Sequence, residues 1–186
     1  MPLRPFRRDQ GWLLPPSLDE MLPQDHPARF VDAVLEGLSD EEWDKLGMEM
    51  EGGPAGPPAY HPRALLGIWI YGFMTGTRST RKLEAACRDQ LSYAWLGAMA
   101  RPDHNTLWRF WRAHRDDMRR LLPMTVHAAA RMGLVELAFQ AVDGTRVGAS
   151  ASRDRTLDEA GLRRLLARVE VELDALEAQN STENEP

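Results

Sequence analysis

The sequence predicts a mainly α protein: a bundle of helices, then a short β segment, then a long C-terminal helix. Three observations carry that expectation. Apolar residues recur at spacings of three and four over most of the chain, the period of a helix with one buried face. Pro27 and Pro62 stand where a first-turn proline opens a helix. Only between residues 134 and 155 do the apolar runs read as strands.

Residues 1–27 are proline-rich and read as an extended arm, with at most a short turn at Ser17–Leu22. A first helix follows Pro27, because Phe30, Val31, Val34, Leu35 and Leu38 share one face. Ser39 with Glu42 three residues on forms a capping-box pattern for a short helix reaching about Leu46. Gly52 to Pro58 suits neither helix nor central strand and reads as a linker. From Pro62 a helix apolar almost all round, Ala64 to Met74, is expected to be buried. A break at Gly76-Thr77 leads to Ser79 as cap of a helix over Thr80–Arg88, and a short helical piece covers Tyr93–Met99. Asp103 or Asn105 caps a long helix to about Leu122, Pro123 interrupts it, and a further helix runs from Met124 to Met132. These helices form one domain over residues 28–133.

Leu137 to Val142 and Thr145 to Ala149 read as two strands flanking Asp143-Gly144. Residues 156–178 form a long helix whose Leu162, Leu166, Val169, Leu173 and Leu176 make a seam for a partner helix, this chain's own or another's. The polar stretch 179–186 reads as a disordered tail.

Composition narrows the function classes. Of 186 residues, 43% are hydrophobic and 27% charged, which excludes a wholly disordered or collagen-like chain. A single cysteine, Cys87, excludes an internal disulfide and a multi-cysteine zinc module, and suits a reducing cytoplasm. No apolar run reaches the roughly 18–20 residues that span a bilayer, so no membrane partner is expected. The start has charge but no apolar stretch behind it, unlike a signal peptide.

The net charge of −5 hides an asymmetry. Residues 18–53 carry two basic and eleven acidic side chains, a net −9, whereas residues 60–132 carry twelve basic and five acidic, a net +7. A strongly basic middle in an acidic chain points to a polyanionic partner. At 100° per residue, Leu107, Phe110, Trp111, His114 and Met118 fall on one side of the long helix. Asn105, Trp108, Arg109, Arg112, Asp116 and Arg119 fall on the other. Asn can pair with adenine and Arg with guanine in the major groove. Arg81, Lys82 and Arg88 on the preceding helix suit phosphates. Together these make a helix-turn-helix-like unit that contacts DNA, or else a solvated basic surface.

The five histidines, at 26, 61, 104, 114 and 127, lack metal-ligand spacing. Cys87, Trp69, Trp95 and Trp111 suit apolar faces, whereas Trp108 is placed to lie against DNA. Asp143-Gly144 between apolar runs is a hairpin-turn signal, and Asp143 is equally a candidate metal-binding carboxylate.

Leu14-Pro15-Pro16-Ser17-Leu18-Asp19-Glu20, Tyr60-His61-Pro62-Arg63-Ala64-Leu65-Leu66, Gly76-Thr77-Arg78-Ser79-Thr80-Arg81-Lys82-Leu83-Glu84 and Arg101-Pro102-Asp103-His104-Asn105-Thr106 occur in that order. This succession resembles the N-terminal region of bacterial insertion-sequence transposases of the IS5/IS1182 type. The resemblance implies a helical DNA-binding part leading into an RNase H-like domain with an Asp-Asp-Glu triad that holds Mg²⁺. It makes Asp143 the first triad carboxylate and the insertion-sequence ends the DNA partner. Only 43 residues follow Asp143 (186 − 143), with no match for the second Asp and the Glu. The expectation is therefore a truncated transposase that binds DNA without cleaving it. Residues 156–178 would be its contact with a second copy or with a full-length transposase; the competing expectation is a helical protein–protein interaction module that oligomerises through the same residues and has no DNA role.

Overall fold

The histidine-proline pairs open two of the principal helices. In a computed structural model, which describes residues 16–48, 50, 59–131 and 159–184, α2 spans Pro27–Glu36 and α4 spans Pro62–Met74. Each has proline at its start, where the missing N–H has no helical partner to lose. In each, the preceding histidine is the cap: His26 Nδ1 accepts from Ala28 N at 3.1 Å, and His61 Nδ1 accepts from Arg63 N at 3.2 Å.

Before α2, α1 (Leu18–Met21) is closed by a reciprocal Ser17–Glu20 capping box. Arg29 of α2 stitches it down. Its guanidinium donates to Asp19 Oδ1 at 2.8 Å and to the carbonyl oxygens of Leu22 and Pro23 at 2.9 and 3.0 Å. It also lies over the Trp95 ring, 5.0 Å from the centroid, and Trp95 donates from its indole to Asp19 at 3.2 Å. α3 (Asp40–Lys45) starts at the expected Ser39–Glu42 box.

Helix α4 is the axis of the bundle. Every residue from Leu65 to Met74 is buried, as a helix apolar on all sides requires. α2, α5 (Thr80–Asp89), α6 (Leu91–Leu96) and α7 (His104–Arg131) pack round it. Trp69 ties it to α7 by donating from its indole nitrogen to Leu107 O at 3.2 Å, and its ring lies 4.8 Å from that of Trp111. The turn into α5 rests on Gly76, whose φ of +72° is a left-handed conformation that favours glycine, while Thr77 N donates back to Gly72 O at 2.7 Å. A final helix, α8 (Glu159–Asn184), packs along α7 through Leu165, Val169 and Leu173, all buried.

Four expectations are corrected. The short helix after α5 stops at Leu96 and does not reach Met99, because Ala98 and Met99 adopt left-handed backbone (φ +48° and +64°). The break in α7 falls at His114 (φ −120°, ψ 19°), and Pro123 lies inside the helix. Residues 179–184 are helical and no tail, because Asn180 is fully buried against α5. Of the expected seam of the last helix, Val169 and Leu173 are buried, whereas Leu162 and Leu166 are only half-buried and Leu165 is buried in their place. The β segment 134–155, with Asp143, the linker 52–58 and the arm up to residue 15 lie outside the described residues. Among the described residues the chain is helical throughout its regular structure. No described helix is long and apolar enough to cross a membrane.

Candidate nucleic-acid interface

The basic segment folds into α5, α6 and the first half of α7. Asp103 starts α7, accepting from Thr106 N at 2.7 Å. Hydrogen bonding from the Thr106 side chain, and then from this backbone N–H, lowers the pKa of its carboxyl. From α5, Glu84 reaches the same helix end. Its Oε2 lies 2.9 Å from His104 Nδ1 and accepts from His104 N at 3.3 Å. One carboxylate therefore satisfies a free N–H of α7 and fixes the crossing of α5 on α7.

This contact aligns two rows of side chains. On α5, Arg81 and Arg88 are exposed and lie on nearly the same side of the helix, flanking Glu84. On α7, His104, Trp108 and Arg112 follow at intervals of four, with Asn105 and Arg109 in the adjacent row. Asn105, Arg109 and Arg112 are exposed, whereas Leu107, Phe110 and Trp111 are buried, so the expected division of this helix into two faces holds up to the kink. Trp108 is half-buried at the edge of the core, leaving part of its ring open. Lys82 is exposed but lies on the opposite flank of α5 from Glu84.

Arg119 is not part of these rows. The kink at His114 separates it from them, with His114 Nδ1 3.3 Å from Leu46 O and its ring 4.8 Å from Phe110. Its guanidinium meets three carboxylates of α8: Nη1 at 3.6 Å from Glu170, Nη2 at 2.5 Å from Asp174 and Nε at 3.0 Å from Glu177. Hydrogen bonds to Glu177 and Asp174 raise its pKa further above the usual arginine value.

Three parts of the site escape sequence reasoning. The Glu84–His104 pair joins residues twenty apart on different helices, with no local signature. Asn180 accepts from Thr80 N at 3.0 Å and donates to Arg78 O at 2.8 Å, capping α5 from the far end of the chain. Arg101, exposed just before α7, joins the outward cations.

Asp143 lies outside the described residues, and among the described residues no three His, Cys, Asp or Glu side chains gather to hold a metal ion. Cys87 is buried, and burial together with the nearby Glu84 carboxylate pushes its thiol up to about 11, far from a nucleophile's range.

The family model described as Transposase domain (DUF772) matches residues 16–113, more than half of the chain. That span runs from the start of the described residues to the last turn before the α7 kink. No curated protein and no solved structure matches the chain.

Proposed function

The chain belongs to the transposase-domain family (DUF772), and from that premise we propose that α5–α7 is a DNA-contacting unit whose reading helix is the first half of α7. Asn105, Arg109 and Arg112 face the groove and its edges, Arg81 and Arg88 take phosphates, and the open part of Trp108 lies against the DNA. Lys82 and Arg101 add to the attractive field rather than to the docked surface.

One contrast among the cations carries this reading. Arg29, Arg63, Arg115, Arg119 and Arg120 each lie against a carboxylate. Arg81, Lys82, Arg88, Arg101, Arg109 and Arg112 are in no ion pair among the described residues. A patch of unneutralised charge repels itself, and a polyanion relieves that repulsion.

The finer assignment follows the resemblance: an insertion-sequence transposase of the IS5/IS1182 type, with the terminal DNA of the element as partner. On that resemblance alone, Asp143 is the first carboxylate of a Mg²⁺ centre that also needs a second Asp and a Glu, for which this sequence has no match, so the reading is DNA binding without cleavage. The DNA reading is tested by titrating a labelled duplex at several salt concentrations. Arg109→Ala and Arg112→Ala should each weaken binding and reduce the slope of log K against log salt by about 0.9 for each phosphate the variant no longer neutralises. A slope and affinity equal to wild type in both variants would remove α7 from the interface.

A further inference from the structure

The opposite fate of Arg119 and its neighbours on α7 leads further. Arg119 stands two turns beyond Arg112 on the same helix, carries the same guanidinium, and is the one withdrawn from solvent by α8. Each of its three guanidinium nitrogens faces a carboxylate oxygen, from Glu170, Asp174 and Glu177. Oxygen anions around the edge of a guanidinium are also what a DNA phosphate presents. The side chains of Glu170 and Asp174 are 55% and 70% exposed, so these two partners are held at the surface, where ion pairs are weak and exchangeable, while Glu177, 25% exposed, is the most enclosed of the three. The apolar face of α8 is buried independently, through Leu165, Val169 and Leu173, so the carboxylates are not needed to seat the helix. α8 also lies wholly outside the family match, as an addition laid over it.

We propose that α8 regulates the DNA-contacting unit by presenting phosphate-like carboxylates to Arg119, which becomes a phosphate contact when DNA displaces them. The inference rests on the DNA reading of α5–α7. It assigns α8 a competitive role: the carboxylates lower affinity in the free protein, and their removal exposes one more cation.

The test is the full chain carrying Glu170→Gln, Asp174→Asn and Glu177→Gln together, titrated with a labelled mixed-sequence DNA duplex beside wild type. The variant should bind more tightly at low salt. Its ratio of affinities between about 50 and 200 mM salt should grow about three- to fourfold, the signature of one more phosphate neutralised. Adding Arg119→Ala to the triple variant should cancel that gain. If the gain survives without Arg119, net charge alone produces it and the inference is overturned. Wild type that binds with no gain in the triple variant overturns the inference and leaves the DNA reading intact. Absence of binding by every form overturns the DNA reading itself, and the inference with it. Should the triple variant lose its helical circular dichroism, Asp174→Asn alone carries the same comparison, with a smaller gain that Arg119→Ala again cancels.

Discussion

The side-chain amide of Asn180 closes the N-terminus of α5 from across the bundle, its Oδ1 accepting from Thr80 N at 3.0 Å and its Nδ2 donating to Arg78 O at 2.8 Å. Asn180 is fully buried, so water cannot replace it at either contact. Asn180→Ala should therefore lower stability by about 1–3 kcal/mol, the range for losing a cap and leaving buried polar groups unmet. Asn180→Asp should also destabilise, because it keeps the acceptor but sets a buried carboxylate oxygen against Arg78 O in place of the donor. Urea unfolding measures both. A wild-type midpoint for Asn180→Ala would mean that the cap contributes nothing.

Adding a Cβ near the end of α4 and removing one from the α6–α7 turn should shift stability in opposite directions. A Cβ on Gly72 would stand 2.5 Å from Leu83 Cδ2 and 2.8 Å from Thr77 O, and the carbonyl belongs to a backbone that cannot yield cheaply. Gly72→Ala should destabilise by about 1–3 kcal/mol. Met99 is half exposed and held at φ +64°, so Met99→Gly relieves backbone strain and should stabilise by up to about 1 kcal/mol. Thermal melts of the two variants should shift to either side of wild type. A melting temperature lowered by Met99→Gly would refute the strain argument.

Asp103 links α7 to pH. Its hydrogen bond from Thr106 lowers its folded-state pKa below the ordinary value of 3.8, so its contribution is whole above that value. As pH falls through the lowered pKa, the carboxylate is protonated and the cap weakens. Wild type should lose more stability than Asp103→Asn on acidification below about pH 4. Parallel acid-dependence curves for the two proteins would contradict this.

Cys87 reports on the packing of α5. With its thiol raised to about 11 and its side chain buried, it should resist a thiol reagent near neutral pH and react only as the bundle opens. Labelling rates should rise with urea along the unfolding curve. Rapid labelling in buffer would show that α5 separates from α4 in the native protein.

Much of the bundle is legible where the signal is local. Ser39, Pro27 and Pro62 each govern a helix start through residues within one turn, and these starts are where the structure has them, while the short turn expected at Ser17–Leu22 is a single capped turn of helix. The faces of α7 up to Ala113 are equally legible, since burial there follows helical period. The capping role of His26 and His61 has a single trace in the sequence, the repeated His-Pro pair. The kink escapes a local reading because Pro123 is the obvious breaker, while the actual break at His114 accompanies a contact with Leu46 O, 68 residues away. A helical wheel of α7 groups Arg119 with the outward-facing Asn105, Arg109 and Arg112 because it cannot show that α8 lies beside it. The same holds for Asn180, whose polar neighbours suggest a tail although α5 supplies its partners.

The order of synthesis gives Asn180 one more meaning. It leaves the ribosome 100 residues after Thr80. At about 5–20 residues per second, α5 waits on the order of 5–20 s for the group that closes its first turn. Until then Leu83, Ala86 and Cys87 must hold it to the nascent bundle without that cap. Arg119 is thus translated before its acidic partners on α8 exist, and the start of α5 is completed by a residue made long after the helix it caps.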